Sequence, residues 1–518
     1  MQRRRCANGW FAALVTIALV AGCSPTTTTP APVASVDATA SAAPAPSASA
    51  LSSPSPAAYQ VPPAAWTDCG KGFLCAEIRV PRDYSVPTSG YLNLSIIRLA
   101  ATDPGSRIGS LIVDPGGPGA SGVEFVREAA DGGFFSDALR RRFDLVGFDP
   151  RGVNGSSPIR CIEDLEPRDR LDPSPDDAAE LQALVDSARD YATECGTRND
   201  ATLPYLSTDA VARDLDLIRS VVGDKQVSYF GFSYGTLIGS LYADLFPDHI
   251  RAMVLDGALD PALDLEQLRT GQAEGFELAL THFLDDCAAK ASCSFHEGGQ
   301  TVKAFDSLMA SIEAKPLRTV LVKGRRQIGP SIAWYTVLAA LYSKSSWPTV
   351  ARALELAKRG DGSLMLLIAD PYRGRNPDGS YSNLQDAYTA NTCLDFPAPT
   401  DVATYTGWAT TLKASAPHFA GLMAYNDLSC AFWPVAAERT PKPVTAAGAP
   451  PIVVIGTTSD PATPYPWAVS LAKELESGVL ITRQGDGHTG YRDNTCVRRA
   501  VDAYLLDLTA PKDGLTCK

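Results

Sequence analysis

The pentapeptide Gly231-Phe232-Ser233-Tyr234-Gly235 constrains this chain more than any other stretch. The run before it, Gln226-Val227-Ser228-Tyr229-Phe230, is β-branched and aromatic and predicts a buried strand. The run after it, from Thr236 to Ala243, predicts a helix. A serine on such a strand-to-helix turn takes up a strained backbone conformation, and its neighbours must be small for strand and helix to approach each other. The start of the new helix lends positive potential to an oxyanion formed beside the serine. The turn therefore demands a sheet with helices against it and reads as a nucleophile site.

The rest of the chain fits that demand in two blocks. Strand patterns occupy 73–81, 92–99, 110–114, 143–148, 226–230 and 252–256, with an amphipathic helix at 210–222. Strands alternating with helices predict a mainly parallel sheet. From 262 to 440 the pattern becomes helical, at 265–289, 300–314, 332–341 and 348–359. That segment reads as a helical lid inserted after the sixth strand. Strand patterns return at 451–456 and 478–482, and a last helix covers 494–506. The expected organisation is a core over 62–261, a lid over 262–440 and the rest of the core over 441–518.

Three loops at strand ends carry the chemistry. Pro115-Gly116-Gly117-Pro118-Gly119-Ala120-Ser121-Gly122 follows the third strand, and its glycines let the backbone approach a ligand closely. Pro118 has no N–H, so the oxyanion donors expected are the N–H of Gly117 and that of Tyr234, the residue after the serine. Asp149 and Arg151, after the fourth strand, are expected to hold their own loop. A serine nucleophile needs a base, and the base needs an acid to orient it. Of five histidines, His249 precedes the sixth strand, His282, His296 and His418 lie in the lid segment, and His488 alone follows the last strand. Asp460, in Ser459-Asp460-Pro461-Ala462-Thr463-Pro464, follows the penultimate strand. Asp486 is two residues from His488, too close in sequence for its carboxylate to reach Nδ1 easily. The expected triad is Ser233, Asp460 and His488. Three such residues, in this order and each after its strand, have little structural purpose, so a non-catalytic binding protein is disfavoured.

The N-terminal part sets the compartment. Arg3-Arg4-Arg5, an apolar run from Trp10 to Val20, and Val20-Ala21-Gly22-Cys23 resemble a lipoprotein signal peptide over 1–22 with Cys23 as the lipidated residue. Residues 23–61 are Ser, Pro, Thr and Ala almost throughout and read as a disordered tether. The expected location is the outer face of a bacterial cell membrane, or secretion, with membrane contact only through the lipid. Without Cys6 and Cys23, ten of the twelve cysteines remain. An even number in an exported chain predicts disulfides. They fall in neighbouring pairs: Cys69 and Cys75, Cys161 and Cys195, Cys287 and Cys293, Cys393 and Cys430, Cys496 and Cys517. No CxxC and no His-Cys cluster has ligand spacing, so no metal or other cofactor is expected. Net charge is −12 with no basic stripe, which argues against a nucleic-acid partner. A monomer is expected.

Taken together, Gly116-Gly117-Pro118-Gly119, Asp149-Pro150-Arg151-Gly152, Gly231 to Thr236, Asp460 to Pro464 and Gly487-His488 resemble the tripeptidyl-aminopeptidase-like α/β-hydrolases of actinobacteria, relatives of prolyl aminopeptidases. Ala390 to Asp395 and the pair Trp433-Pro434 match the same family, and the likeness runs from about 65 to 518. Prolyl aminopeptidases usually carry a histidine before the two glycines; Asp114-Pro115 stand here instead. The resemblance implies an exported serine exopeptidase that removes di- or tripeptides from free N-termini. The alternative is a carboxylesterase or cell-envelope lipid hydrolase with the same triad. An aminopeptidase needs a fixed carboxylate facing the substrate ammonium. Asp395, two residues after Cys393, is the residue expected to serve, with Asp386 the second choice.

Overall fold

The computed structural model describes residues 59–131, 133–319 and 326–518. The signal-peptide and Cys23 expectations, and the tether as far as residue 58, lie outside them. Tyr59 already belongs to the fold: its hydroxyl donates to the Arg79 carbonyl at 2.9 Å and its ring lies against Tyr91.

The sheet is built from β1 (Thr67–Asp68), β2 (Phe73–Pro81), β3 (Tyr91–Leu99), β4 (Gly109–Asp114), β5 (Phe143–Phe148), β6 (Val227–Phe232) and β7 (Ile250–Asp256). A two-stranded pair, β8 (Leu317–Arg318) with β9 (Gln327–Ile328), stands apart among the helices. The sheet is completed by β10 (Ile452–Ser459), β11 (Gly478–Asp486) and β12 (Leu515–Cys517). Its order is β1-β2-β3-β5-β4-β6-β7-β10-β11-β12. The first strands pair antiparallel as far as β5, and every pair from β5 onward is parallel. β4, β5 and β6 are buried along their whole length, as parallel strands covered on both faces must be.

Each face of the sheet has its own core. On one, Val211, Leu215 and Ile218 of the helix Thr208–Val221 pack with Leu237 and Leu241 of Gly235–Leu245 and with Leu471 of Tyr465–Glu474. On the other, Val126, Leu139, Val497 and Val501 cover Phe230 and Val453. A third core belongs to the helical half. Phe276, Phe283, Phe305, Leu338, Leu354 and Phe419 meet there, and Val185 and Ala188 of the helix Ala178–Asn199 join them. That helix falls within the 62–261 stretch expected for the core, and its Tyr191 and Cys195 pack with Cys161 and Leu165. The longest helix, Leu265–Ala289, starts at a capping box in which Asp264 accepts from the Gln267 N–H and the Gln267 side chain accepts from the Asp264 N–H.

All five neighbour pairs of cysteines are disulfides: Cys69–Cys75, Cys161–Cys195, Cys287–Cys293, Cys393–Cys430 and Cys496–Cys517. No helix among the described residues is long and apolar enough to cross a membrane.

Candidate active site

Strand register brings the three loops together. β4 and β6 are neighbours, with Asp114 opposite Gly231, so the loop after β4 lies beside the turn after β6. β7 and β10 continue the row, with Phe232 opposite Asp256 and Ile455 opposite Asp256. The carboxyl ends of these strands are where an open α/β sheet places its ligand site.

Ser233 sits on the turn with φ 55°, the left-handed region that a side chain rarely adopts. The turn is clamped: the Ser233 N–H donates to the Asp256 carbonyl at 2.9 Å, and the Thr236 N–H to the Ser233 carbonyl at 2.9 Å. A Cβ on Gly231 would lie 2.4 Å from the Gly235 carbonyl oxygen, so only glycine allows strand and helix to come so close. The loop after β4 presses on the same turn, for a Cβ on Gly116 would lie 2.5 Å from the Phe232 oxygen and 2.7 Å from the Tyr234 nitrogen. Among the described residues neither the Gly117 N–H nor the Tyr234 N–H has a hydrogen-bond partner. Two unpartnered donors beside a strained serine can receive an oxyanion.

His488 lies on the loop after β11. Its Nδ1 is 2.9 Å from both carboxylate oxygens of Asp460. Asp460 is 2 % exposed and accepts further bonds from the N–H groups of Ala462, Thr463 and Thr489. With Nδ1–H given to Asp460, Nε2 is the free lone pair, and it is buried without a partner. Burial works against the imidazolium. The charge of Asp460, its hydrogen bond and the charge of Asp256 outweigh that, and hold the imidazole pKa above its ordinary value. Thr463 Oγ1 stands 3.3 Å from the same Nδ1.

The helical half reaches this loop. The Tyr342 carbonyl accepts from the His488 N–H at 2.8 Å, and the Tyr342 ring meets the imidazole edge to face at 5.3 Å. Arg269, paired with Asp427, also donates to the Tyr388 hydroxyl, while Gln272 donates to the Ala462 carbonyl beside Asp460. Asp486 turns away from His488: it takes His282 Nδ1 at 2.6 Å and Lys344 Nζ at 2.6 Å, tying the last long strand to the lid. Asp149 accepts from Ser121, Val123, Asn154 and Gly155, and Arg151 pairs with Asp214, so both hold their loops.

Asp395 is the correction. It is wholly buried, and its oxygens accept from the Thr208 N–H at 2.9 Å, the Thr208 hydroxyl at 2.5 Å and the Tyr234 hydroxyl. The C-terminal turn of its helix, Leu384–Asp395, docks on the start of Thr208–Val221 and on the residue after Ser233. Burial pushes its carboxyl up to about 6 against the pull of those donors. An ammonium would have to displace them, and the contacts that Asp395 makes brace the Ser233 turn. Asp386 is equally occupied, by the Tyr191 hydroxyl at 2.7 Å and the Cys161 N–H at 3.2 Å. No cluster of three or more His, Cys, Asp or Glu side chains among the described residues could hold a metal ion. Sequence reasoning passed over Asp256 and Tyr342. Asp256 carried one signal, an acid at the carboxyl end of a strand next to the serine strand; Tyr342 carried none.

Comparison with known proteins agrees with this architecture. Residues 416–517 match the family described as TAP-like protein. The chain is 37 % identical over 486 residues to serine protease Hip1 of Mycobacterium tuberculosis, covering 88 % of this chain and 91 % of that one. It is 38 % identical to carboxylesterase B of the same organism, covering 86 % of each. It is 35 % identical to tripeptidyl aminopeptidase of Streptomyces coelicolor, covering 100 % of this chain and 98 % of that one. The chain is a serine hydrolase of the tripeptidyl-aminopeptidase-like α/β-hydrolase family.

Proposed function

We propose that the protein is an exported aminopeptidase that releases di- or tripeptides from free N-termini through an acyl-enzyme on Ser233. The observation that carries the acyl-enzyme chemistry is the unpartnered Nε2 of His488, oriented from behind by Asp460, on the loop beside the strained serine turn. Ser233 attacks the scissile carbonyl as His488 takes its proton. The oxyanion is received by the N–H groups of Gly117 and Tyr234. His488 then protonates the leaving amine, and water attacks the acyl-enzyme with the same base. Asp460 fixes the tautomer and stabilises the imidazolium.

The peptide substrate is supported by the full-length likeness to a tripeptidyl aminopeptidase and to a serine protease. Export is supported by the N-terminal pattern ending at Cys23 and by five disulfides, which persist in oxidising compartments. A lipid on Cys23 would be its membrane anchor. The second reading, ester hydrolysis by the same triad, is favoured by the comparable likeness to a carboxylesterase. Matched tripeptide anilides and esters, each with a free or acetylated amine, decide between them. The aminopeptidase reading expects the free-amine peptide to be turned over and its acetylated twin to be poor. Equal rates for the two peptides, or turnover of esters alone, would overturn it.

A further inference from the structure

Asp256 is a wholly buried carboxylate for which no lysine or arginine supplies an ion pair among the described residues. It ends β7 and touches both sides of the site. Its main-chain carbonyl receives the Ser233 N–H at 2.9 Å. Its side chain receives the Gly490 N–H on Oδ1 at 2.7 Å and the Tyr491 N–H on Oδ2 at 2.8 Å. Those two amides begin two residues after His488, so the carboxylate clamps the downstream arm of the histidine loop. Tyr491 is itself buried in the core, which makes that clamp stiff. The next residue, Gly257, lies against the imidazole: a Cβ there would sit 2.9 Å from His488 Cε1.

Two backbone amides could be satisfied by any neutral acceptor. A buried carboxylate without a cation is a costly way to do it. The cost has a use if a positive charge develops nearby during turnover. The charged groups facing Asp256 are His488 and Asp460, and His488 is the one that becomes cationic. The other neighbours of His488, the Tyr342 ring and Thr463, are neutral.

We propose that Asp256 is a positioning residue for the reaction, a second carboxylate behind the base that fixes the His488 loop against the Ser233 turn and stabilises the imidazolium without touching substrate. This rests on the Ser233–His488–Asp460 reading above. Asp460 holds Nδ1 directly; Asp256 acts through the loop backbone and through its charge. Burial pushes the carboxyl up to about 6, and the charge of His488 together with the Gly490 and Tyr491 N–H groups pulls against that rise.

The test is Asp256→Asn in the full chain, with active sites counted by a fluorophosphonate so that kcat is expressed per competent serine. Misplacing the base by about an ångström costs kcat on the order of 10²-fold, while KM stays within about twofold. Removing the charge lowers the imidazole pKa, so the acidic limb of kcat/KM moves to lower pH. A purely structural role would lower the number of competent sites and leave both kcat per site and the limb where they were. That result, or a limb that moves up, overturns the proposal. If the Asn variant does not fold, Asp256→Ser, smaller and still an acceptor, is read in the same way. Ser233→Ala and His488→Ala in the same series separate the two readings. If either keeps its activity, the triad reading falls; if both are dead while Asp256→Asn is unchanged per site, only the role of Asp256 falls.

Discussion

Asp114 offers a sharp test of the electrostatics under the oxyanion loop. It ends β4, is 1 % exposed, and accepts the Gly116 N–H on Oδ1 at 2.8 Å while Oδ2 has no partner among the described residues. Burial pushes its carboxyl up to about 7 despite that N–H, and the charge of Asp149 adds to the rise. The sign follows. A carboxyl bound more tightly to its proton when folded contributes stability below its unfolded value near 3.8, and that contribution is lost as pH rises through 7. The gap between 3.8 and about 7 corresponds to about 4 kcal/mol, of which about 3 kcal/mol falls between pH 5 and pH 8. Asp114→Asn keeps an acceptor for Gly116 and removes the titration. Urea unfolding of the oxidised wild type and variant at pH 5, 6, 7 and 8 reads the difference directly. Asp256 and Asp395, both held near 6 by burial, titrate in both proteins and cancel in that difference. The variant should gain on the wild type by about 3 kcal/mol from pH 5 to pH 8. A stability difference that does not change with pH would refute the reasoning.

Three further outcomes are expected. Asp395→Asn should lower kcat for a small neutral ester as well as for a free-amine peptide, because it loosens Tyr234 beside the serine; a loss confined to free-amine substrates would restore it as an ammonium site. Replacing Cys393 and Cys430 together by serine should cost ~2–4 kcal/mol in unfolding experiments, since that disulfide joins the helix carrying Asp395 to the turn Leu428–Phe432 across 37 residues; an unchanged midpoint would count against it. Asp460→Asn should cut kcat by about 10⁴-fold with Ser233 still in place, read with the best peptide substrate; a variant within about tenfold of wild type would exclude Asp460 as the orienting acid.

What was legible in the sequence was local. The Ser233 turn, the glycine loop, and the loops of Asp460 and His488 follow from rules that act within a few residues: a strand's period, a glycine where φ must be positive, a polar residue just past a strand end. The cysteine pairing was readable for a similar reason, because each partner is the next cysteine along the chain. What was not legible depends on which surfaces dock. Asp395 looked available because its neighbourhood in sequence is a helix beside a disulfide. Its partners, Thr208 and Tyr234, are far away in the chain and close only after the helical half packs on the sheet. The helix Ala178–Asn199 lies within the 62–261 stretch expected for the core, and its Val185 and Ala188 pack with the helical half, a docking that local pattern does not show. Asp256 reads as an ordinary strand end until register places it between the Ser233 turn and the His488 loop.

The central claim is that Ser233 is a nucleophile activated by His488. The most direct measurement is mass spectrometry of the protein after a fluorophosphonate, run beside His488→Ala and Asp460→Asn. The account predicts one phosphonylated residue, Ser233, in the wild type, a rate of modification that collapses in His488→Ala, and a strongly slowed rate in Asp460→Asn. A modification at any other residue, or one whose rate is indifferent to His488, would contradict it.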